Sequence, residues 1–148
     1  MSTRTAVKPS LTLKRRINAS PAKVFSAWTD PDKLKRWMGP GEVRLQLAEA
    51  DPRVGGRYRL VMKAPDGNEP DVSGVYREII PNEKLVFTWA WKSTPERESL
   101  VTILLKPDGD GTLLTLMHEQ LFDEEARDKH QMGWIGCLDK LESFMGRN

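Results

Sequence analysis

The sequence predicts an α+β domain in which a curved seven-stranded antiparallel sheet wraps around a long C-terminal helix. Three observations carry this reading. An alternating apolar run opens the chain, two capped helical segments follow it, and six period-two runs then lead into one long amphipathic stretch. A length of 148 residues suits one domain of ordinary size, expected over residues 11–148 behind a flexible N-terminal segment at residues 1–10.

The first strand is Leu11 to Ile17, with one apolar face. Ser20 then stands as an N-cap with Pro21 at the first helical position, and Val24, Phe25 and Trp28 gather on one helical face. Asp30 and Pro31 repeat the device, and Leu34, Trp37 and Met38 supply the apolar edge before Gly39-Pro40-Gly41 stops the helix. Strands are expected at about 43–50, 56–64, 70–80, 84–92, 97–106 and 112–120, each break containing Gly or Pro. Tyr58, Leu60 and Met62 share one parity and Arg57, Arg59 and Lys63 the other, which names the inward face of that strand. Leu85, Phe87, Trp89 and Trp91 align likewise. Asp123 caps a final helix whose first turn carries Glu124 and Glu125, the charge that the helix N-terminus favours. Its apolar stripe is Ala126, His130, Trp134, Cys137, Leu138, Leu141, Phe144 and Met145, and Gly146 stands where a C-terminal cap belongs.

Seven strands at roughly 4.8 Å make a sheet about 30 Å wide, while a helix with its side chains is only about 10–12 Å across. The sheet must therefore curl, and an internal space between sheet and helix follows. Its lining is expected to draw on Tyr58, Leu60, Met62, Phe87, Trp89, Trp91, Leu114, Leu116, His118, His130 and Trp134, with Trp37 and Met38 at the mouth. That apolar set with a few polar points suits a hydrophobic small molecule.

Composition narrows the alternatives. Lys and Arg number 23 against 21 Asp and Glu, a net charge of +2, and the clusters Lys14-Arg15-Arg16 and Lys33, Lys35, Arg36 read as solvated faces, so no nucleic-acid partner is expected. No apolar stretch approaches the roughly 20 residues of a membrane span, so no membrane insertion is expected. The single cysteine, Cys137, fits a reducing, cytoplasmic setting. Positions 118, 130 and 137 offer no close ligand pair, so no metal and no cofactor are expected. His130 and Cys137 lie two helical turns apart, roughly 10 Å, which is too far for a nucleophile and its base. No nucleophile elbow or phosphate-cradling loop is present, and no catalytic residue is assigned. His118 reads first as a satisfied core residue, then as a ligand's polar anchor and last as a general acid–base group, and Glu78 as a rim residue. The five tryptophans read first as packing residues.

The string from Ala19 to Pro31, followed by Leu34 and Arg36-Trp37-Met38-Gly39-Pro40, resembles the opening signature of the homologues of the activator of the heat-shock-protein-90 ATPase. That family lies within the START-like helix-grip (SRPBCC) superfamily. Asp51 to Arg59, Gly74 to Glu78 with Pro81, Leu85 to Trp89, His118-Glu119 and Gly133-Trp134 resemble it in order and spacing, over about residues 11–145. The resemblance implies a helix-grip fold around a hydrophobic cavity, of bacterial type. Met38 stands where the family often has a second aromatic. The eukaryotic co-chaperone carries a further, larger N-terminal domain to which nothing in this sequence corresponds. The function expected first is binding of a hydrophobic or lipid-like small molecule in the cavity, by a monomer or homodimer. A chaperone-interaction domain is the second reading and a cyclase- or hydrolase-type enzyme the third.

Overall fold

In the computed structural model, which describes residues 8–146, the elements follow the expected order. They are β1 (Leu11–Ile17), α1 (Pro21–Thr29), α2 (Pro31–Trp37), β2 (Arg44–Ala50), β3 (Arg57–Lys63), β4 (Asp71–Ile80), β5 (Lys84–Trp91), β6 (Ser99–Asp108), β7 (Gly111–Glu119) and α3 (Glu124–Gly146). The strands form one antiparallel sheet in the order β1-β7-β6-β5-β4-β3-β2, so every neighbour after the first is a hairpin partner and β1 closes beside β7. Residues 1–7 of the expected flexible segment lie outside the described residues. Pro9 is tied down, its carbonyl accepting from Leu121 N at 3.1 Å, and Arg127 Nε donates to the Ser10 carbonyl at 2.9 Å.

Local chemistry sets the helix boundaries. Ser20 Oγ accepts from Lys23 N at 3.3 Å, and Asp30 serves two helices. Its backbone N–H closes α1 on Ser26 O, while its carboxylate accepts from Asp32 N at 2.9 Å to open α2. Trp37 Nε1 donates to Ala27 O at 2.9 Å and fixes the angle between the pair. Asp123 Oδ1 accepts from Ala126 N at 2.8 Å and starts α3. Gly146 lies within α3 rather than beyond it.

The inward parity of β3 is as read from sequence, with Tyr58, Leu60 and Met62 buried and Arg57, Arg59 and Lys63 exposed. β5 differs, because Val86 and Thr88 on its other parity are buried as well. β4 carries a bulge between Tyr76 and Glu78 where it pairs with β5. Thr88 Oγ1 there accepts from Val75 N at 2.8 Å, and Tyr58 Oη donates to the Thr88 carbonyl. Glu78 points outward and pairs with Lys84 at 3.1 Å. The basic cluster at β1 is neutralised locally, Arg15 by Asp139 at 2.8 Å and Arg16 by Asp108 and Asp110 at 3.2 and 3.1 Å.

Gly74 is the tightest point of this arrangement. A Cβ there would stand 2.0 Å from the Thr88 carbonyl oxygen and 2.7 Å from the Tyr58 ring. Backbone cannot yield as a flexible side chain does, so Gly74→Ala is expected to cost about 3 kcal/mol. Urea denaturation checks it: the midpoint should fall at unchanged slope, and a midpoint equal to wild type would show that the contact between Gly74 and the Thr88 backbone has slack.

Candidate functional site

A cavity of about 570 Å³ lies between α3 and the sheet and opens to solvent. Met62, Trp89 and Trp91 form its sheet wall. Ala126, His130, Gly133, Trp134 and Cys137 form its helix wall, and Met38, Pro40 and Val43 cover one end. Its mouth is framed by Thr94, Arg97, Phe122, Glu125 and Lys129. There the Arg97 guanidinium lies 3.7 Å from the Phe122 ring centre, and Lys129 pairs with Glu125 at 3.0 Å.

The space persists for identifiable reasons. Gly133 contributes no side chain, and a Cβ added there would have no neighbour within 4 Å. Along the same helix, Gly136 lets α3 approach Pro40, to which an added Cβ would come within 2.8 Å. Lys140 then pins the covering loop by donating to the carbonyls of Gly39, Gly41 and Val43 at 2.7, 3.0 and 2.9 Å. Gly39 and Gly41 adopt positive φ angles of 110° and 57°, turning their carbonyls toward that one ammonium. The Cys137 thiol on the cavity wall is pushed up to about 11 by burial, which keeps it a neutral, poorly nucleophilic group.

Of the residues expected around the cavity, Met38, Met62, Trp89, Trp91, His130 and Trp134 line it. The others lie elsewhere. Trp37 turns inward, fully buried, with its ring edge-on to Trp28 at 4.7 Å. Tyr58, Leu60 and Phe87 pack with Tyr76 under Trp28 and Leu34, around a separate chamber of only about 20 Å³. Leu114 and Leu116 are wholly buried in β7. His118 sits behind Trp134, fully buried. Sequence reasoning did not mark Gly133, Cys137 or Arg97 as lining residues. Gly133 carried a signal, since a glycine within a helix costs about 1 kcal/mol against alanine and calls for a reason.

The two histidines are fully engaged. Trp134 Nε1 donates to His118 Nδ1 at 3.0 Å, so the neutral ring carries its proton on Nε2 and donates it to Ser99 Oγ at 2.7 Å. Ser99 in turn donates to the Trp89 carbonyl at 3.2 Å. Trp91 Nε1 donates to His130 Nε2 at 3.0 Å, and His130 Nδ1 donates to Ala126 O at 2.7 Å. Each accepting ring nitrogen is thus occupied by an indole N–H, leaving neither histidine a free lone pair to act as a base. Burial first, and the neighbouring His130 second, push His118 down to about 3. Burial also lowers His130, against the opposing pull of its bond to Ala126. Among the described residues no group of three or more His, Cys, Asp or Glu side chains could hold a metal ion.

Because His118 stays neutral in the folded state while the unfolded chain binds a proton below about pH 6.5, stability is complete above that pH and falls on acidification. The loss from this group should reach about 2 kcal/mol by pH 5. His118→Gln keeps an acceptor for Trp134 and a donor for Ser99, and should flatten this part of the profile. Denaturant midpoints measured from pH 8 to 5 check it; an equal slope in both proteins would mean that His118 titrates normally.

The comparisons with known proteins agree with this architecture. The family model described as "Activator of Hsp90 ATPase homolog 1-like protein" matches residues 18–146. The human protein named "Activator of 90 kDa heat shock protein ATPase homolog 1" is 26% identical over 125 residues, 84% of this chain and 33% of its own length. The chain thus spans about one third of that curated relative. The crystal structure of an AHSA1 protein from Silicibacter pomeroyi superposes with a TM-score of 0.84 at 29% identity, over 93% of this chain and 98% of that one. A crystal structure from Chromobacterium violaceum gives a TM-score of 0.85 at 27% identity, over 92% and 96% of the two chains. With its helix-grip fold and a family match across most of its length, the chain belongs to the Activator of Hsp90 ATPase homolog 1-like family.

Proposed function

We propose that this protein binds a hydrophobic small molecule in the cavity between α3 and the sheet. The observation that carries the reading is an apolar space of about 570 Å³ with aromatic walls, within the range of small-molecule sites. Met38, Met62, Trp89, Trp91, His130 and Trp134 are its contact residues. Trp37, Tyr58, Leu60, Phe87 and His118 act from behind them, holding the walls in place. Both histidines are neutral and already bonded, which favours retention of a ligand over its conversion. The reading carries a cytoplasmic setting and a monomeric or homodimeric protein. No helix among the described residues is long and apolar enough to cross a membrane.

A second reading, association with an Hsp90-class chaperone, is favoured by the likeness to the human activator. Adding this protein to such a chaperone is expected to leave its ATPase rate unaltered. Stoichiometric stimulation would place the chaperone role first.

Gly133 supplies the test of ligand binding. Its replacement by leucine projects a side chain into open space and replaces a poor helix former with a good one, so Gly133→Leu should retain or gain stability. N-phenyl-1-naphthylamine, a neutral fluorophore, should bind the wild type with enhanced emission and bind the variant at least about tenfold more weakly. Native mass spectrometry should show a small molecule retained by the wild type and lost from the variant. Equal binding by both proteins, or none by the wild type, would overturn the assignment.

A further inference from the structure

The cavity has a smaller neighbour. A chamber of about 20 Å³ is lined by Trp28, Met38, Tyr58, Tyr76, Phe87 and Trp89 among others, and Met38 and Trp89 line the large cavity too. These two side chains, one of them a flexible methionine, thus border both spaces. Trp28 and Trp89 are 3% and 4% exposed, and both rings contact Trp134, at centroid distances of 5.9 and 5.0 Å. Their Nε1 atoms are the two buried side-chain polar atoms that have no hydrogen-bond partner among the described residues. The contrast with the other three tryptophans is sharp, since Trp37, Trp91 and Trp134 each donate to a named acceptor.

A buried N–H without a partner costs about 1–3 kcal/mol, and because both residues line the same small space, one acceptor placed there is the candidate partner for both donors. The volume suffices for one oxygen atom of water size, which needs about 10–15 Å³. The chamber's lining carries no ionised group, and burial pushes the Tyr76 hydroxyl up to about 12. A carboxylate would enter without a counter-charge at high cost, whereas a neutral oxygen with two lone pairs matches two N–H donors.

We propose that the chamber between Trp28 and Trp89 is a subsite for a single neutral acceptor oxygen, filled by water in the free protein and by the carbonyl oxygen of a hydrophobic ketone or ester when a ligand occupies the large cavity. The ligand class rests on the cavity-binding reading above. The water site does not.

The test uses the full chain with its tryptophans labelled with ¹⁵N. In the free protein, the Trp28 and Trp89 indole N–H signals should show magnetisation transfer from a bound water. Its absence at both overturns the subsite. The ligand class is tested with the matched probes 2-acetylnaphthalene and 2-ethylnaphthalene, which differ by a carbonyl oxygen in place of a methylene's hydrogens. The ketone should bind at least about tenfold more tightly and shift both indole signals, although a purely apolar cavity would favour the hydrocarbon. Equal binding, or preference for the hydrocarbon, overturns the ligand class. In Trp28→Phe the ketone-to-hydrocarbon affinity ratio should collapse toward one, and Trp89→Phe serves if the first variant fails to fold. If neither probe binds the wild type, the failure belongs to the cavity reading, and the water signals alone decide the subsite.

Discussion

The structure depends on how one indole N–H is satisfied at the centre of the grip. Trp134 lies midway along α3 with its ring inside the protein, and a ring of that size brings a polar atom that cannot be left dry. His118 at the end of β7 receives it, Ser99 at the start of β6 receives the proton on the far side of that imidazole, and the Trp89 carbonyl on β5 completes the run. Three neighbouring strands and the helix are joined through one continuous set of hydrogen bonds. The helix is thereby fixed in rotation as well as position, and Gly133 and Cys137 are held toward the cavity.

The two ends of the concave face are built differently. At the end covered by α1 and α2, Tyr58, Tyr76 and Phe87 meet one another at angles of 48–82° and leave almost no space. At the other, Thr94, Phe122 and the first turns of α3 line the large, open cavity. The short helices act as a plug and the open end as a mouth. Lys140 sustains the difference, since its single ammonium holds three carbonyls of the loop that joins plug to sheet.

Much of this was legible in the sequence. Ser20, Asp30 and Asp123 announced three helix starts because capping is a local event, decided within three or four residues. Tyr58, Leu60 and Met62 announced their face because strand parity is strict. The cavity lining was only half legible. Tyr58 and Phe87 have the same inward parity as Trp89 and Trp91, and nothing in the alternation says which part of a curved face the short helices will cover. Gly146 shows the opposite limit: a glycine near a helix end reads as a stop, yet here the helical turn still includes it. The pairing of Trp134 with His118 and of Trp91 with His130 joins residues 16 and 39 positions apart, and such pairs depend on the finished sheet register rather than on any local pattern.

The five tryptophans also touch in sequence through space. Trp37 meets Trp28 at 4.7 Å, Trp28 meets Trp134 at 5.9 Å, Trp134 meets Trp89 at 5.0 Å and Trp89 meets Trp91 at 5.5 Å. Chromophores this close do not absorb and emit as independent units. Excitation migrates along the row, their transitions couple into a shared near-ultraviolet circular dichroism, and the emission reports the whole row rather than one ring. The row begins in the plug and ends at the His130 contact beside the cavity, so the protein carries an optical readout running from its most closed end to its most open one.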